Sequence, residues 1–286
     1  MTECQSFEQS VFHLMRIAVW NMPPADLLVS GLRSGPFQDR FEILRNEISD
    51  CERLLREGEV DMALLPTTTI LRNTTDFDVL PAVALSSWRY PFARLSIDHG
   101  LDEPIKRVAY DPRFDQERFL TGITLREHYN MEPQFIEHPE TTVEELLDAD
   151  ADARLLVGAN VPMRSSGDLM LDVGQEWYEL AQYPMVWGLI ASLKDRLNPV
   201  VIRSIRDGIQ ASEEQRGIWI RAQETSADLH AFYTEDLRLR LDDLAAASLT
   251  ELRQYLFFFE QGDEVPDVPF VFLPDEEDEE DDGGIV

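Results

Sequence analysis

Cysteine, lysine and long apolar runs are all scarce in this 286-residue sequence. The two cysteines, Cys4 and Cys51, stand in unrelated contexts, so we expect neither a disulfide framework nor a cysteine-based metal site. No apolar run approaches the roughly 20 residues that span a bilayer, and the opening segment 1–15 lacks the basic and apolar regions of a secretory signal. We therefore predict a cytoplasmic protein with no membrane partner.

Positive charge is also in short supply. The chain carries 55 acidic and 25 basic residues, for a formal charge of −30, and lysine occurs only at Lys106 and Lys194. Such a surface repels nucleic acid, which we exclude as a partner. The composition is typical of the acidic proteins of extreme halophiles. We expect thermal stability to rise from low to molar salt, where a Debye length of about 3 Å screens the self-repulsion.

The standard catalytic signatures are missing as well. The sequence contains no Walker motif, no GxGxxG, no GxSxG and no HExxH. Its five histidines are scattered, and we interpret His128 and His138 as surface or boundary residues rather than a metal pair. The functional residues must therefore be sought from their positions relative to the predicted strands and helices.

Two groups of alternating strands and helices are present, a pattern that predicts parallel sheets flanked by helices. The first group has predicted strands at 16–21, 41–48, 60–66 and 78–87 and helices at 23–32, 49–58 and 67–73. The second has strands at 106–111, 134–138 and 153–158 and helices at 115–129, 142–150 and 169–180. A strand at 183–192 returns to the first group, and helices follow at 196–212, 227–232, 235–241 and 249–261.

The predicted fold class is α/β with two lobes, each a sheet flanked by helices, and a ligand cleft between the lobes. The predicted boundaries are a flexible lead-in at 1–14, a discontinuous first lobe at 15–88 and 190–265, a second lobe at 89–189, and an acidic, disordered tail at 266–286. The tail contains an uninterrupted acidic run from Asp275 to Asp282, which is typical of a solvated segment.

Polar residues lie at or just after the ends of several predicted strands, at the positions where a two-lobed protein forms its cleft. They are Asn21, Thr67 to Thr69, Ser86, Ser87, Asp111 to Arg113, and Asn160. The arginines near them are suited to bidentate recognition of a carboxylate, and they are Arg89, Arg94, Arg113 and Arg164. Two simpler interpretations stay open. Threonines at a helix start often serve only as caps, and each arginine of so acidic a chain can be an ordinary surface residue.

Five segments, in order along the chain, carry a family resemblance. They are LLREGEVDMALLPTTTILR, LREHYNMEPQF, DADARLLVGANV, LDVGQEWYELAQYPMVWGL and YTEDLRLRLDDLAAASLTELRQYLFFFEQG. From about Arg16 to Gly262 the chain resembles the chorismate dehydratases of the futalosine route to menaquinone. The resemblance implies a fold like that of type II periplasmic binding proteins. It also implies a lyase that removes water from chorismate to give 3-[(1-carboxyvinyl)oxy]benzoate, without a metal or organic cofactor.

Strand ends and resemblance together give a set of predicted site residues. We predict that Asn21 and Ser86 are catalytic, and that the small anionic carboxylate is held by Thr67, Thr68, Ser87, Arg89, Arg113 and Asn160. Two turns differ from the family pattern. The YLNTxPL-type turn reads VWNMPPADLL here, and the SSRTS-like polar turn corresponds to RFDQE, Arg113 to Glu117.

Three functions therefore stay open at the level of sequence. The first is a dehydratase acting on chorismate. The second is a diverged relative that binds or converts a different small carboxylate. The third is a non-catalytic solute-binding or regulatory module. The sequence leaves the oligomeric state undetermined.

Overall fold

The computed structural model describes residues 14–139, 141–162, 169–223, 225–260 and 264–271. Its strands are β1 (Met15–Trp20), β2 (Phe41–Asn46), β3 (Met62–Pro66), β4 (Phe77–Val79), β5 (Val83–Ser87), β6 (Ala93–Ile97), β7 (Arg107–Tyr110), β8 (Gln134–Glu137), β9 (Ala153–Val157), β10 (Leu169–Asp172), β11 (Met185–Leu193) and β12 (Leu237–Arg240). Its α-helices are α1 (Pro23–Leu28), α2 (Ile48–Arg56), α3 (Thr67–Arg72), α4 (Asp115–Glu127), α5 (Val143–Leu147), α6 (Val173–Ala181), α7 (Pro199–Ala222), α8 (Ala227–Ala231) and α9 (Asp243–Glu260).

Short helical turns complete these elements. Turns of 3₁₀ helix lie at Gly31–Arg33, Gly35–Phe37 and Pro112–Phe114, and a π-helical turn lies at Phe232–Asp236. Within the described ranges, no helix is both long enough and apolar enough to cross a lipid bilayer. Most of the predicted lead-in, residues 272–286 of the predicted tail, and Arg164 lie outside the described residues.

The first sheet has the strand order β12-β5-β11-β3-β1-β2, and β4 also pairs with β11. β1 runs parallel to β2 and to β3, as the alternation of strands and helices predicts. β11 lies antiparallel between β3 and β5. Residues 185–192 of β11 are all buried, as expected for a central strand with helices packed against it.

Helix α2 shows how the local sequence fits this sheet. Ile48, Cys51, Leu54 and Leu55 recur at helical spacing and are buried against the strands, while Glu52 and Arg56 pair on the outer side. Gly58 then adopts φ = 72°, a left-handed conformation that glycine takes without strain just after a helix. The predicted helix and its end are therefore confirmed.

The second sheet has the strand order β10-β6-β9-β7-β8. β7 runs parallel to β8 and β9, whereas β6 lies antiparallel to both β9 and β10. Helix α4 packs against α6 and β9 on this sheet. The two sheets with their helices agree with the predicted α/β, two-lobed fold class.

Several predicted elements differ from the structure. The helix predicted at 196–212 runs from Pro199 to Ala222, and the one predicted at 249–261 begins at Asp243. Three others are wrong in kind or continuity. The single strand predicted at 78–87 is broken into β4 and β5, because Ala82 adopts φ = 64° between them. The predicted helix at 235–241 is instead the end of a π-helical turn followed by β12, which pairs with β5 at the sheet edge. Residues 169–172 of the predicted helix 169–180 form β10, and the helix begins at Val173.

The chain passes between the sheets at two places. It leaves the first sheet after β5 and enters the second at β6, close to the predicted boundary at 88. It has already returned to the first sheet at Met185, five residues before the predicted boundary at 190. Residues 266–271, predicted to begin the tail, lie against β4, where the Val79 N–H donates a hydrogen bond to the Pro269 carbonyl (2.8 Å).

Candidate functional site

A cleft of about 320 Å³ opens between the two sheets. Four strands lead into its wall at their carboxyl ends, β1 and β2 from the first sheet and β7 and β9 from the second, as parallel topology requires. Its lining residues are Trp20, Asn21, Met22, Asn46, Glu47, Ile48, Arg113, Phe114, Thr141, Thr142, Val143, Glu144, Val157, Gly158, Ala159 and Asn160. The predicted residues Asn21, Arg113 and Asn160 are therefore brought together here.

Two carboxamides of this cleft are open to a ligand. Asn21 follows β1, and its backbone N–H donates to the Asn46 carbonyl (2.8 Å), which fixes the turn. Asn160 lies on the other lobe, two residues after Gly158, whose φ of 145° turns the chain away from β9. Both asparagines are exposed, and neither side chain forms a hydrogen bond within the described part of the chain. The two amides can donate to and accept from a polar ligand from opposite sides.

Arg113 reaches the same cleft but is already engaged. Its guanidinium donates two hydrogen bonds to Asp111 Oδ2 (2.9 and 2.6 Å), and Asp111 is only 3 % exposed. It also donates to Glu47 Oε2 of the first lobe and to the Thr141 carbonyl of the second, both at 3.3 Å. Arg113 therefore holds the two lobes together, and a ligand carboxylate has to compete with two protein carboxylates for it.

The predicted hydroxyl residues lie elsewhere, in a buried layer between the lobes. Thr67, Thr68, Ser86 and Ser87 are at most 1 % exposed, and none lines the cleft. Thr67 donates its hydroxyl to the Val186 carbonyl (2.7 Å), and Ser87 Oγ accepts from the indole N–H of Trp187 (2.8 Å). The Ser86 hydroxyl is buried and has no hydrogen-bond partner in the described structure.

Arg89 is not at the cleft either. It donates to Asp236 Oδ2 at 2.9 and 2.6 Å and lines a separate cavity of about 250 Å³. Arg94 lines that cavity too and lies 3.4 Å from Asp172. The prediction that Arg89 lies near the other site residues is therefore not met in this structure. Arg164, the remaining candidate arginine, lies outside the described residues.

Sequence reasoning missed two residues at the start of α4, although it marked RFDQE as a departure from the family turn. Gln116 Oε1 accepts from the Thr68 backbone N–H (3.1 Å), and its amide donates to the Trp187 carbonyl (2.8 Å). One side chain of the second lobe thus bridges α3 and β11 of the first. The only signal in the sequence was a glutamine and a glutamate at the turn where the family has small hydroxyl residues.

Glu117 is the second residue that was missed. It is 3 % exposed, and its Oε2 has no hydrogen-bond partner among the described residues. Burial, together with the nearby Asp115 charge, raises the pKa of this carboxyl to about 7. A carboxyl with such a pKa can exchange a proton near neutral pH, which suits acid–base chemistry.

We call the surroundings of β11 residues Val186 to Gly188 the junction, made up of this segment with Trp20, Thr68, Ser86, Gln116 and Glu117. Three buried polar atoms of the junction lack partners in the described structure, namely Trp20 Nε1, Ser86 Oγ and Glu117 Oε2. Native proteins rarely leave such groups unpaired, so a cluster of them needs a reason.

Aromatic rings fill the remaining space at the junction. Tyr90 of the crossing segment stacks on Trp187, with ring centroids 3.9 Å apart and planes 19° from parallel. The Trp20 ring lies directly over Gly188, where an added Cβ would come within 2.5 Å of the indole. The lobes thus meet through close aromatic packing, and the open cleft lies beside it.

A model of a protein family described as menaquinone biosynthesis matches residues 15–257. A search of curated protein sequences found no significant match. Among solved structures, protein AF1704 from Archaeoglobus fulgidus has 16% identity and a TM-score of 0.68, covering 87% of this chain and 98% of its own.

Two further solved structures show the same fold. The Candida albicans CA3427 gene product, described as having the generic periplasmic binding protein fold, has 15% identity and a TM-score of 0.60, covering 90% of this chain and 93% of its own. The sulphonate binding protein SsuA of Escherichia coli has 12% identity and a TM-score of 0.61, covering 91% of this chain and 92% of its own. These likenesses confirm the predicted periplasmic-binding-protein-like fold. Because the family model spans most of the sequence, the chain belongs to the menaquinone biosynthesis family, as its resemblance to chorismate dehydratases predicts.

Proposed function

We propose that this protein is a hydro-lyase that converts chorismate to 3-[(1-carboxyvinyl)oxy]benzoate. The family match supports a role in menaquinone biosynthesis. The observation that carries the proposal is the cleft itself, where the unpaired amides of Asn21 and Asn160 come from opposite lobes beside the buried junction. A small polar ligand bound there would touch both lobes, which is how a two-lobed protein couples binding to closure.

The reaction requires few chemical groups from the protein. A base takes a ring proton, and the electrons of that C–H bond form the new ring double bond. The C–O bond breaks, and the hydroxyl leaves with a proton as water. Because the product ring is aromatic, the protein mainly has to orient the substrate and manage one proton.

The proposed roles follow from position and chemistry. Asn21 binds the substrate at the cleft wall, and Ser86 supplies its unpaired hydroxyl when the lobes part at the junction. Glu117, with a pKa of about 7, holds or releases the proton that is transferred. Asn160 positions the ligand at the cleft. Thr68 and Ser87, which the sequence also predicts as ligand contacts, are buried away from the cleft and take part only when the lobes part.

The charges of the cleft favour a second candidate function. Glu47 and Glu144 both line the cleft, and Arg113 is paired with Asp111 and Glu47. Among the described lining residues, a dianion such as chorismate would therefore meet two glutamates and one arginine, which is already engaged. This observation favours a diverged family member that binds or converts a less charged small carboxylate.

One assay separates the two candidates. Purified protein in molar salt is incubated with chorismate, and the enolpyruvyl benzoate is followed by chromatography. We expect the parent to form product and Asn21→Ala to form it more slowly. Gln254→Ala, on the exposed side of α9, should form product at the parental rate. If no product forms and calorimetry detects no chorismate binding, the dehydratase proposal is wrong and the second candidate stands.

A further inference from the structure

Among the described residues, the arginines without a hydrogen bond or ion pair are confined to one part of the chain. Most described arginines form an ion pair with a carboxylate, as expected with 55 acidic residues present. Five described arginines form no hydrogen bond or ion pair through their side chains, and all lie between residues 196 and 240: Arg196, Arg203, Arg221, Arg238 and Arg240. Uncompensated positive charge in so acidic a protein is a feature that needs an explanation.

A cavity of about 250 Å³ concentrates part of this charge. It lies between α7 and the edge formed by β5 and β12, and its lining includes Arg206, Gln210 and Arg240. Arg203 lies one helical turn before Arg206, on the same face of α7. The carboxylate in the lining is Asp207, 3.8 Å from Arg206 Nε. We call this cavity the arginine pocket.

The C-terminal part of the chain approaches the arginine pocket. β12 runs down the edge of β5 until the Leu241 N–H donates to the Ala82 carbonyl (3.2 Å). From the other end of the same edge, Phe270 pairs in parallel with Val79, and the Val271 N–H donates to the Val79 carbonyl (3.0 Å). Residues 269–271 therefore run in the direction of Ala82, which lines the arginine pocket.

The distance is short enough for the acidic run to reach the pocket. Three residues, Phe272 to Pro274, separate Val271 from Asp275. At about 3.3 Å per residue, the four steps to Asp275 span up to ~13 Å, and the three steps from Val79 to Ala82 span up to ~10 Å. From this geometry we propose that the acidic run Asp275 to Asp282 docks in the arginine pocket of its own chain.

Charge explains why this place is favoured over the rest of the surface. The body of the protein is strongly negative and repels the run, whereas Arg203, Arg206 and Arg240 offer donors that carboxylates can accept from in bidentate fashion. Because these arginines are close to solvent, the docking weakens as salt shortens the Debye length from about 10 Å at 0.1 M to about 3 Å at 1 M. The segment would then be docked at low salt and released at molar salt.

Cleavage of the full-length protein by a glutamyl endopeptidase tests this directly. Mass spectrometry follows cutting at Glu276, Glu277, Glu279 and Glu280. At about 0.1 M salt we expect cutting in the R206Q/R240Q variant to be about tenfold faster than in the parent, because cleavage follows the undocked fraction. R221Q, which removes an unpaired arginine from the same helix outside the pocket, should be cut at the parental rate. Equal rates in all three proteins overturn the proposal.

Two further measurements test the integrity of the fold and the origin of the protection. Unchanged thermal unfolding of the R206Q/R240Q variant shows that faster cutting does not come from a damaged fold. A labelled peptide of residues 272–286 is then titrated into full-length protein whose acids at 275–282 are replaced by amides. Anisotropy should rise for this protein and not for its R206Q/R240Q form. If anisotropy does not rise, docking within one chain is contradicted. It is also contradicted if protection from cutting grows with protein concentration, because that result reports docking on a second copy.

Discussion

The cleft and the junction lie side by side but differ in how their polar groups are exposed and paired. The cleft presents Asn21 and Asn160, exposed and with unpaired amides, from two different lobes. The junction buries Thr68, Ser86 and Glu117 almost completely, and pairs some of their polar atoms while leaving others without partners. Exposed unpaired groups cost nothing, because water satisfies them, whereas buried unpaired groups destabilise the fold. The buried, unpaired polar groups of the junction therefore lower the stability of the fold.

This difference separates two ways in which substitutions act. A change in the cleft should alter ligand binding and leave the fold intact, while a change at the junction should alter stability, proton exchange or both. Gln116 belongs to the junction, where its side chain from the second lobe binds Thr68 and Trp187 of the first lobe. The following experiments test the contrast from the largest expected effect to the smallest.

Adding a side chain at Gly188 should cause the largest loss of stability. An added Cβ would lie 2.5 Å from the Trp20 ring and 3.0 Å from the Leu65 carbonyl, and a backbone carbonyl in a sheet cannot move aside. We expect Gly188→Val to lower the free energy of unfolding by about 3 kcal/mol or more, measured by urea denaturation. Gly122→Ala is the matched control, because its Cβ would meet Phe135 at an ordinary 3.6 Å. An equal effect at both positions would show that the junction is not tightly packed.

Glu117 should make stability depend on pH. Its pKa is raised from 4.5 to about 7 in the folded protein, so the folded state binds more protons than the unfolded state between those values. Stability therefore falls as pH rises from about 4.5 to 7, by about 3 kcal/mol in total at about 1.4 kcal/mol per pKa unit. We expect Glu117→Gln to remove this fall, so that it is more stable than the parent at pH 8 and similar at pH 4.5.

Denaturation curves at several pH values measure this effect. The control is Glu59→Gln, which changes an exposed carboxyl on the first lobe and should leave the pH profile as it is. If stability depends on pH in Glu117→Gln as it does in the parent, the pH dependence comes from a group other than Glu117. If the protein is a dehydratase, the same variant should also lose the pH dependence of turnover near neutrality.

Ser86→Ala should separate activity from stability. Its hydroxyl is buried without a partner, so replacing it with a methyl group should leave the unfolding free energy unchanged or higher. If Ser86 touches the substrate, turnover of chorismate should fall by more than about tenfold, or some 1.4 kcal/mol of barrier. Ser87→Ala is informative beside it, because it removes the acceptor of the Trp187 indole and should destabilise the fold. Full activity in Ser86→Ala would remove this residue from the mechanism.

The smallest expected effects are those of the cleft amides. Asn21→Ala and Asn160→Ala each remove one side-chain hydrogen bond to a ligand, worth about 1 kcal/mol, or roughly fivefold in Kd. Calorimetry of ligand binding measures this change, and stability should stay within about 0.5 kcal/mol of the parent. Unaltered binding in both variants, with altered binding in Gln116→Leu, would move the ligand from the cleft to the junction.

The general architecture was predictable because it depends on local patterns. Buried runs such as VDMALLP and amphipathic segments such as SDCERLLREGE specify strand and helix without reference to the rest of the chain. β12 was not predictable in this way. LRLR alternates over only four residues, and its pairing with β5 across more than 140 residues of sequence decides that it is a strand.

The site was predictable only in part, for a related reason. Arg113 and Asn160 follow β7 and β9, which are neighbouring parallel strands of the second sheet, so topology brings these two together. Asn21 follows β1 of the first sheet, and only the packing of the lobes places it opposite them. Ser86 and Thr68 also follow strands, yet the packing of Tyr90 on Trp187 and the bridge made by Gln116 cover that region. Nothing in the local sequence indicates how two lobes pack when they meet.

By itself, then, the sequence determined the two lobes, the family and the strand ends from which a cleft is built, since these depend on periodicity and segment order. The tertiary structure decided that Arg113 is engaged by Asp111, that Glu117 is buried, and that Arg206 and Arg240 line one cavity. Charges and hydrogen bonds act between residues far apart in the chain. Their strength depends on distance and burial, which only the folded protein defines.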